Sequence, residues 1–276
     1  MADAAVSTSS RNASTGRPMS QIALVNVGKT YRAARREPLH VLRGIDLSIE
    51  AGEVVGLVGP SGCGKSTILN IVAGLDADYT GRVTIQGRPM SEQLDAGFRV
   101  SYVFQESRLL PWYTIAQNIE FALRAANFPR SEWKERTLAV LDLVGLSRFK
   151  DFYPGQLSGG MQQRASIARA FSVDPDILLM DEPFSALDEL TARKLRQSLL
   201  DIWEKFRSTI LFVSHNAYES TFLADRIIVM SSNPGGKIAE EIDLRDVPRP
   251  RSYDDPALFE KSKEVIRVLD RRPVEA

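Results

Sequence analysis

Short unbroken apolar runs alternate along this chain with stretches in which apolar residues recur every three or four positions, a pattern that predicts a mixed α/β core. Val54, Val55, Gly56, Leu57 and Val58 read as a buried strand, and Lys65 to Ala73 as the helix it feeds. Ile177 to Met180 form a second such strand, and Leu211, Phe212 and Val213 belong to a third. From Gln105 to Leu157 the pattern turns helical: Ile115, Ile119 and Leu123 are spaced by four, and Leu138, Leu141 and Val144 suggest a second stripe. Leu195, Leu199, Ile202 and Phe206 describe a further core-facing helix, after which strands and helices alternate as far as Met230. Beyond Gly236 a strand-like segment leads into Val247-Pro248-Arg249-Pro250-Arg251, which breaks regular structure. Leu258, Ser262, Val265 and Leu269, with Phe259 and Ile266 beside them, then predict an amphipathic helix that packs on its own domain.

Composition narrows the class. The chain has 276 residues, 43% hydrophobic and 25% charged, as a globular protein should. Lys+Arg and Asp+Glu both number 35, so there is no nucleic-acid footprint. No run approaches the roughly 20 apolar residues that span a bilayer, and the N-terminus lacks the apolar stretch of a secretion signal. A cytoplasmic location is expected. The single cysteine, Cys63, excludes an internal disulfide and fits a reducing compartment. Residues 1–20, rich in Ser, Ala, Thr and Asn without periodicity, are expected to be a disordered leader. Arg32 to Arg36 read as a solvated basic hairpin, although the cluster also suits phosphates or lipid headgroups.

Three segments carry chemistry. Gly59-Pro60-Ser61-Gly62-Cys63-Gly64-Lys65-Ser66-Thr67 fits GxxxxGK[ST] and lies between a strand and a helix, the context this pattern requires. Its glycines let backbone N–H groups converge on an anion, to which the helix N-terminus adds partial positive charge. Lys65 would bridge the β- and γ-phosphates of ATP, Ser66 supply a hydroxyl to Mg²⁺, and Thr67 reach the α-phosphate. Because Cys63 lies within the loop, its alkylation is expected to block ATP entry. The second segment is the apolar strand ending in Asp181 and Glu182: Asp181 is expected on Mg²⁺, and Glu182 is placed to polarise an attacking water. A second acid implies hydrolysis, not binding alone. The third is Leu157-Ser158-Gly159-Gly160, where Ser158 caps a helix opened by paired glycines and so forms a second anion site.

Taken together, these segments resemble the ATP-binding cassette family over roughly residues 20 to 240. The resemblance implies an α/β fold: a P-loop NTPase core with a RecA-like mixed sheet, an antiparallel β subdomain and an inserted helical subdomain. It divides the chain into a leader at 1–20, an ATPase domain at 21–240 with its helical subdomain at about 106–157, and a tail at 241–276 carrying the amphipathic helix. It also implies that Tyr31 stacks on adenine, that Gln105 senses Mg²⁺ and water, and that His215 is the switch histidine on the γ-phosphate. Ser185-Ala186-Leu187-Asp188 is similar to the loop that crosses between two cassettes, a role compatible with Ser185 or Asp188 capping a helix. By the same resemblance two chains pair head to tail, and Ser158, Gly159 and Gly160 of one close over ATP bound by Lys65 of the other.

The chain departs from the commonest family pattern at two positions. Met161 stands where Gln is usual, though Gln162 follows, and Asn216 replaces the Asp often found after the histidine, keeping hydrogen bonding but losing a charge. Leu109-Leu110-Pro111-Trp112 and Ser231-Ser232-Asn233-Pro234-Gly235 resemble importer ATPases for nitrate, aliphatic sulfonates and taurine; those serving thiamine precursors look similar. The resemblance therefore implies an ATPase peripheral on the cytoplasmic face of the inner membrane. Its partners would be an integral-membrane permease and, indirectly, a periplasmic solute-binding protein. The alternative is a soluble cassette acting on nucleic acid or ribosomes; such proteins carry double cassettes, long coiled-coil inserts or basic arms, and none is evident here.

Overall fold

The computed structural model describes residues 21–32, 37–89, 92, 98–232 and 235–271, without the side chains of 205 and 206. The expected leader, most of the basic cluster and part of the Ser231–Gly235 segment therefore lie outside the described residues. In chain order the elements are β1 (Ile22–Tyr31), β2 (Leu39–Ile49), β3 (Val54–Val58), α1 (Lys65–Val72), β4 (Thr80–Ile85), β5 (Arg88–Pro89), β6 (Val100–Val103), α2 (Ile115–Ala125) and α3 (Trp133–Leu143). They continue with α4 (Gly159–Phe171), β7 (Ile177–Asp181), α5 (Glu189–Phe206), β8 (Thr209–Val213), α6 (Ala217–Leu223), β9 (Arg226–Ser231), β10 (Lys237–Asp243) and α7 (Pro256–Asp270).

Two sheets result. An antiparallel sheet runs β2-β1-β4-β5, and a mixed sheet runs β10-β9-β3-β8-β7-β6, parallel throughout except where β10 meets β9. Every residue of β3 and β8 is buried, as the unbroken apolar runs require of strands covered on both faces. The pleat sorts their side chains: Val55 and Leu57 join α1 and the antiparallel sheet in one cluster, while Val54 and Val58 join α4 to α7 in the other. Register then aligns the strand ends, because Leu57 and Asp181 both pair with Val213. The loops following β3, β7 and β8 consequently emerge side by side at the carboxyl edge, where open α/β sheets hold ligands.

Two helical expectations change in detail. Leu138 is 38% exposed, whereas Thr137, Leu141 and Val144 turn inward. A spacing of four then three keeps a helix on one face, and three then three drifts off it. In α7, Leu258, Ser262, Val265 and Val268 are buried while Phe259 and Ile266 stand on the exposed side. The tail does pack on its own domain. Ser262 Oγ lies 2.7 Å from Thr221 Oγ1 of α6, and the buried Arg251 donates to the carbonyls of Thr221 (2.8 Å), Leu244 (2.8 Å) and Val247 (3.1 Å). Arg251 thereby satisfies carbonyls at the C-terminal end of α6 that the helix itself leaves unpaired. Among the described residues no helix is long and apolar enough to cross a membrane.

Candidate functional site

The phosphate loop bends from β3 into α1 through Gly64, whose φ of 97° a side chain would strain and whose missing Cβ would collide with Leu42 Cδ2. No side chain caps α1, and no acidic residue occupies its first turn. The orphan N–H groups there remain available for an anion. Lys65 is 8% exposed; its ammonium donates to the carbonyls of Gly59 at 2.8 Å and Pro60 at 2.9 Å, and so lies along the loop. Ser61, Gly62 and Ser66 are exposed, and Thr67 is half-buried.

Cys63 corrects an expectation. Its side chain is fully buried, packed in the core cluster that includes Leu42, Ile68 and Met230, so it is not a door through which a reagent reaches ATP. Burial also pushes its thiol above the ordinary value, against the pull of Lys65. It is a small hydrophobe with little thiolate character.

Beside the loop, burial raises the Asp181 carboxyl above its usual range; a hydrogen bond from Ser66 opposes this, neighbouring Glu182 adds to it, and Lys65 opposes it. Glu182 follows with φ 45°, a conformation costing a non-glycine residue about 1–3 kcal/mol. Its N–H donates to Val213 O at 3.0 Å, which fixes the turn. The turn aims the carboxylate so that Oε2 accepts from Gln105 Nε2 at 3.2 Å and lies 3.4 Å from His215 Nδ1. Residues from the ends of β6, β7 and β8 thus meet on one oxygen. Asn216 Oδ1 accepts the N–H groups of Tyr218 (3.0 Å) and Glu219 (3.2 Å) as N-cap of α6, so the neutral amide fills the capping role of a carboxylate here.

Tyr31, 44% exposed at the end of β1, is held by two groups that sequence reasoning missed. Its hydroxyl donates to Asp76 Oδ2 at 3.2 Å, and Lys29 Nζ sits 4.7 Å from its ring centroid. Lys29 in turn pairs with Asp76 Oδ1 at 2.7 Å. Burial works against both charges, yet their mutual hydrogen bond prevails, leaving Lys29 above and Asp76 below its ordinary value. A lysine two residues before the tyrosine was the only local signal, since Asp76 lies 47 positions from Lys29.

The Ser158–Gly160 tip is unlike the phosphate loop. Ser158 caps α4, its Oγ accepting from Met161 N–H at 3.3 Å, and both Ser158 and Gly159 are exposed. A Cβ on Gly159 would meet nothing within 4 Å, whereas one on Gly160 would lie 2.9 Å from Leu187 Cδ2. Met161 packs half-buried against the core, and the Gln162 amide donates to Pro154 O (3.0 Å) and Leu157 O (3.2 Å). Asp188 caps α5 through Thr191 N–H at 3.0 Å, and the Ser185 hydroxyl donates to Glu182 O at 3.0 Å. No hydrogen bond among the described residues joins the Ser158–Gly160 tip to the phosphate loop.

A phosphate loop on β3, paired acids on β7 and a histidine after β8 define a P-loop ATPase. The ABC transporter family model matches residues 42–185. An uncharacterized ABC transporter ATP-binding protein of Methanocaldococcus jannaschii is 41% identical over 83% of this chain and 84% of its own length. The nitrate import ATP-binding protein NrtD of Synechococcus elongatus is 40% identical over 89% and 90%. The aliphatic sulfonates import ATP-binding protein SsuB 2 of Burkholderia cenocepacia is 44% identical over 84% and 82%. Among solved structures, the dimeric bacterial ABC transporter cassette MJ0796 superposes with a TM-score of 0.74 at 35% identity, covering 81% of this chain and 99% of that one. The chain belongs to the ABC transporter family and is an ATP-hydrolysing cassette of it.

Proposed function

We propose that this chain works in pairs as the motor of an importer for a small solute, hydrolysing ATP between the phosphate loop of one copy and the Ser158–Gly160 helix tip of the other. The convergence of Gln105 and His215 on Glu182 Oε2 carries this reading, since it builds a general base and its positioning groups where the γ-phosphate of ATP on the loop would end. Backbone N–H groups of residues 62–67 bind the phosphates, Lys65 swings from its carbonyls onto them, and Tyr31 stacks on adenine. Asp181, Ser66 and Gln105 offer the oxygen donors Mg²⁺ prefers. Mg²⁺, when bound, neutralises charge developing on the phosphates. Glu182 orients and deprotonates the attacking water, and His215 holds the γ-phosphate in line.

The exposed Ser158–Gly160 tip and the dimeric solved cassette support the shared site. A groove of about 400 Å³ between β6 and α2, lined by Val100, Tyr102, Phe121 and Ala125 together with Arg99 and Arg169, is a mixed apolar and basic seat for a permease segment. The nitrate and aliphatic sulfonates import relatives support a small anion as cargo; in this reading a solute-binding protein delivers it and this chain is peripheral on the cytoplasmic face. Glu182→Gln tests the core of the reading. It should lower turnover at least about 100-fold yet accumulate an ATP-bound dimer in light scattering. A monomer at saturating ATP would falsify the shared site.

A further inference from the structure

We infer that Arg196 is a positioning residue that couples the loop at the head of α5 to the loop at the head of α6, and thereby links the two ATP sites shared by a pair of chains. The inference rests on the shared-site reading above. Arg196 lies two turns into α5 and is 1% exposed, one of the largest fully buried side chains in the molecule. Its guanidinium holds one carboxylate from the start of each helix. Nη2 donates to Glu189 Oε1 at 2.8 Å, and Glu189 is the first residue of α5, adjoining Asp188. Nη1 donates to Glu219 Oε2 at 3.2 Å, and Glu219 stands in the first turn of α6, four residues beyond His215.

Further contacts carry the link to both loops. The Glu219 N–H donates to Asn216 Oδ1 at 3.2 Å, and the Asn216 N–H donates to Ser214 Oγ at 3.0 Å, so Glu219 is tied to the residues on either side of His215. On the α5 side, Ser185 bonds the carbonyl of Glu182. Glu182, Ser185, His215, Glu219 and Arg196 share the wall of one cavity of about 160 Å³. The Tyr253 ring lies 5.4 Å from the Arg196 guanidinium and stacks flat on Phe222 of α6 at 4.2 Å, so the tail backs the same link. Burial pushes the Glu219 carboxyl up while Ser214 and Arg196 pull it down, and Arg196 Nε has no partner to share the load.

Separating Arg196 from Glu219 leaves two charges buried alone, and separating it from Glu189 forfeits a charge-assisted hydrogen bond, so the two helix starts move together more cheaply than apart. In a closed pair, the loop ending at Asp188 touches the other copy and His215 touches the γ-phosphate. A displacement felt at Glu189 therefore reaches His215 through one side chain. Packed elements with two arrangements transmit such shifts as steps.

The Hill coefficient for ATP hydrolysis by the full chain tests the link, because a merely structural ion pair would change melting temperature and rate but not cooperativity. Arg196→Met combined with Glu219→Gln removes both charges and leaves none buried alone. The expected result is a Hill coefficient falling toward 1 and turnover falling about fivefold, with ATP affinity unchanged within twofold. An undiminished Hill coefficient overturns the inference, whatever happens to rate or stability. If the double variant does not fold, Glu189→Gln decides the matter, its side chain being 57% exposed: a lowered Hill coefficient supports the link and an unchanged one overturns it. A wild-type coefficient of 1, with no ATP-dependent dimer of Glu182→Gln, would instead remove the shared-site reading and this inference with it.

Discussion

The phosphate loop and the Ser158–Gly160 tip are both helix N-termini, and their surroundings differ in a way that, on the proposed reading, separates binding from turnover. The loop is built into the core: Lys65 is 8% exposed, and Leu42 crowds the space beside Gly64. The Ser158–Gly160 tip faces solvent, with open space over Gly159. In the proposed reading one copy holds nucleotide by itself, whereas the Ser158–Gly160 tip meets a phosphate only on the other copy. On that reading the divided site turns over only when assembled, which would let a partner protein control the rate.

The largest effects expected from breaking this contrast have opposite signatures. Lys65→Ala should remove ATP binding by the isolated chain, at an expected cost of roughly 2–5 kcal/mol for deleting one partner of a buried charge contact. Ser158→Ala should leave ATP affinity of the single chain within twofold, cost about 1 kcal/mol of helix stability through the lost cap, and lower turnover at least about tenfold. Equilibrium binding measured beside steady-state hydrolysis distinguishes the two. Parallel loss of binding in Ser158→Ala would erase the division of labour.

These two regions were readable from sequence because each is local: a run of nine residues and a run of four, with the required strand or helix adjoining. The buried strands were readable for the same reason, as unbroken apolar runs. Legibility ended where a side chain answers to a distant partner. Arg196 and Glu219 are 23 positions apart, and nothing in the helical stripe of α5 marks Arg196 as inward-facing and buried. Thr137, not Leu138, takes the inward face of α3, because helical phase decides the face whereas hydrophobicity alone favours Leu138. The Val247–Arg251 segment is irregular, as its prolines predict, yet its role as a clamp on α6 depends on carbonyls about 30 residues upstream.

A smaller effect belongs to the adenine end. Tyr31→Ala should raise the KM for ATP about 5- to 150-fold, the equivalent of 1–3 kcal/mol of base stacking, while affinity for inorganic tripolyphosphate stays unchanged. Tyr31→Phe keeps the ring and loses only the bond to Asp76, so its effect should be a few-fold. The anchor should also be insensitive to pH near neutrality. Asp76 sits below its ordinary 3.8, so its contribution is fully present above that value and is lost only as pH falls through the depressed one. A Tyr31→Ala effect equal for ATP and tripolyphosphate would place the ring elsewhere than on the base.

The smallest effect is expected at Cys63, where the buried thiol sharpens the contrast from the other side. A residue inside a ligand-binding loop invites the inference that modifying it blocks the ligand, yet the loop presents its backbone outward and buries this side chain at 0% exposure. Alkylation requires both exposure and thiolate, and burial opposes each. Native chain treated with iodoacetamide at neutral pH should therefore keep its full ATPase activity over a time in which urea-unfolded chain is completely labelled, as read by intact mass. Saturating ATP should slow labelling only as far as it stabilises the fold, because any labelling proceeds through opening of the core and a ligand bound to the native state suppresses that opening. Rapid labelling with loss of activity would mean that the loop opens without the rest of the domain. The phosphate loop would then be as dependent on assembly as the Ser158–Gly160 tip.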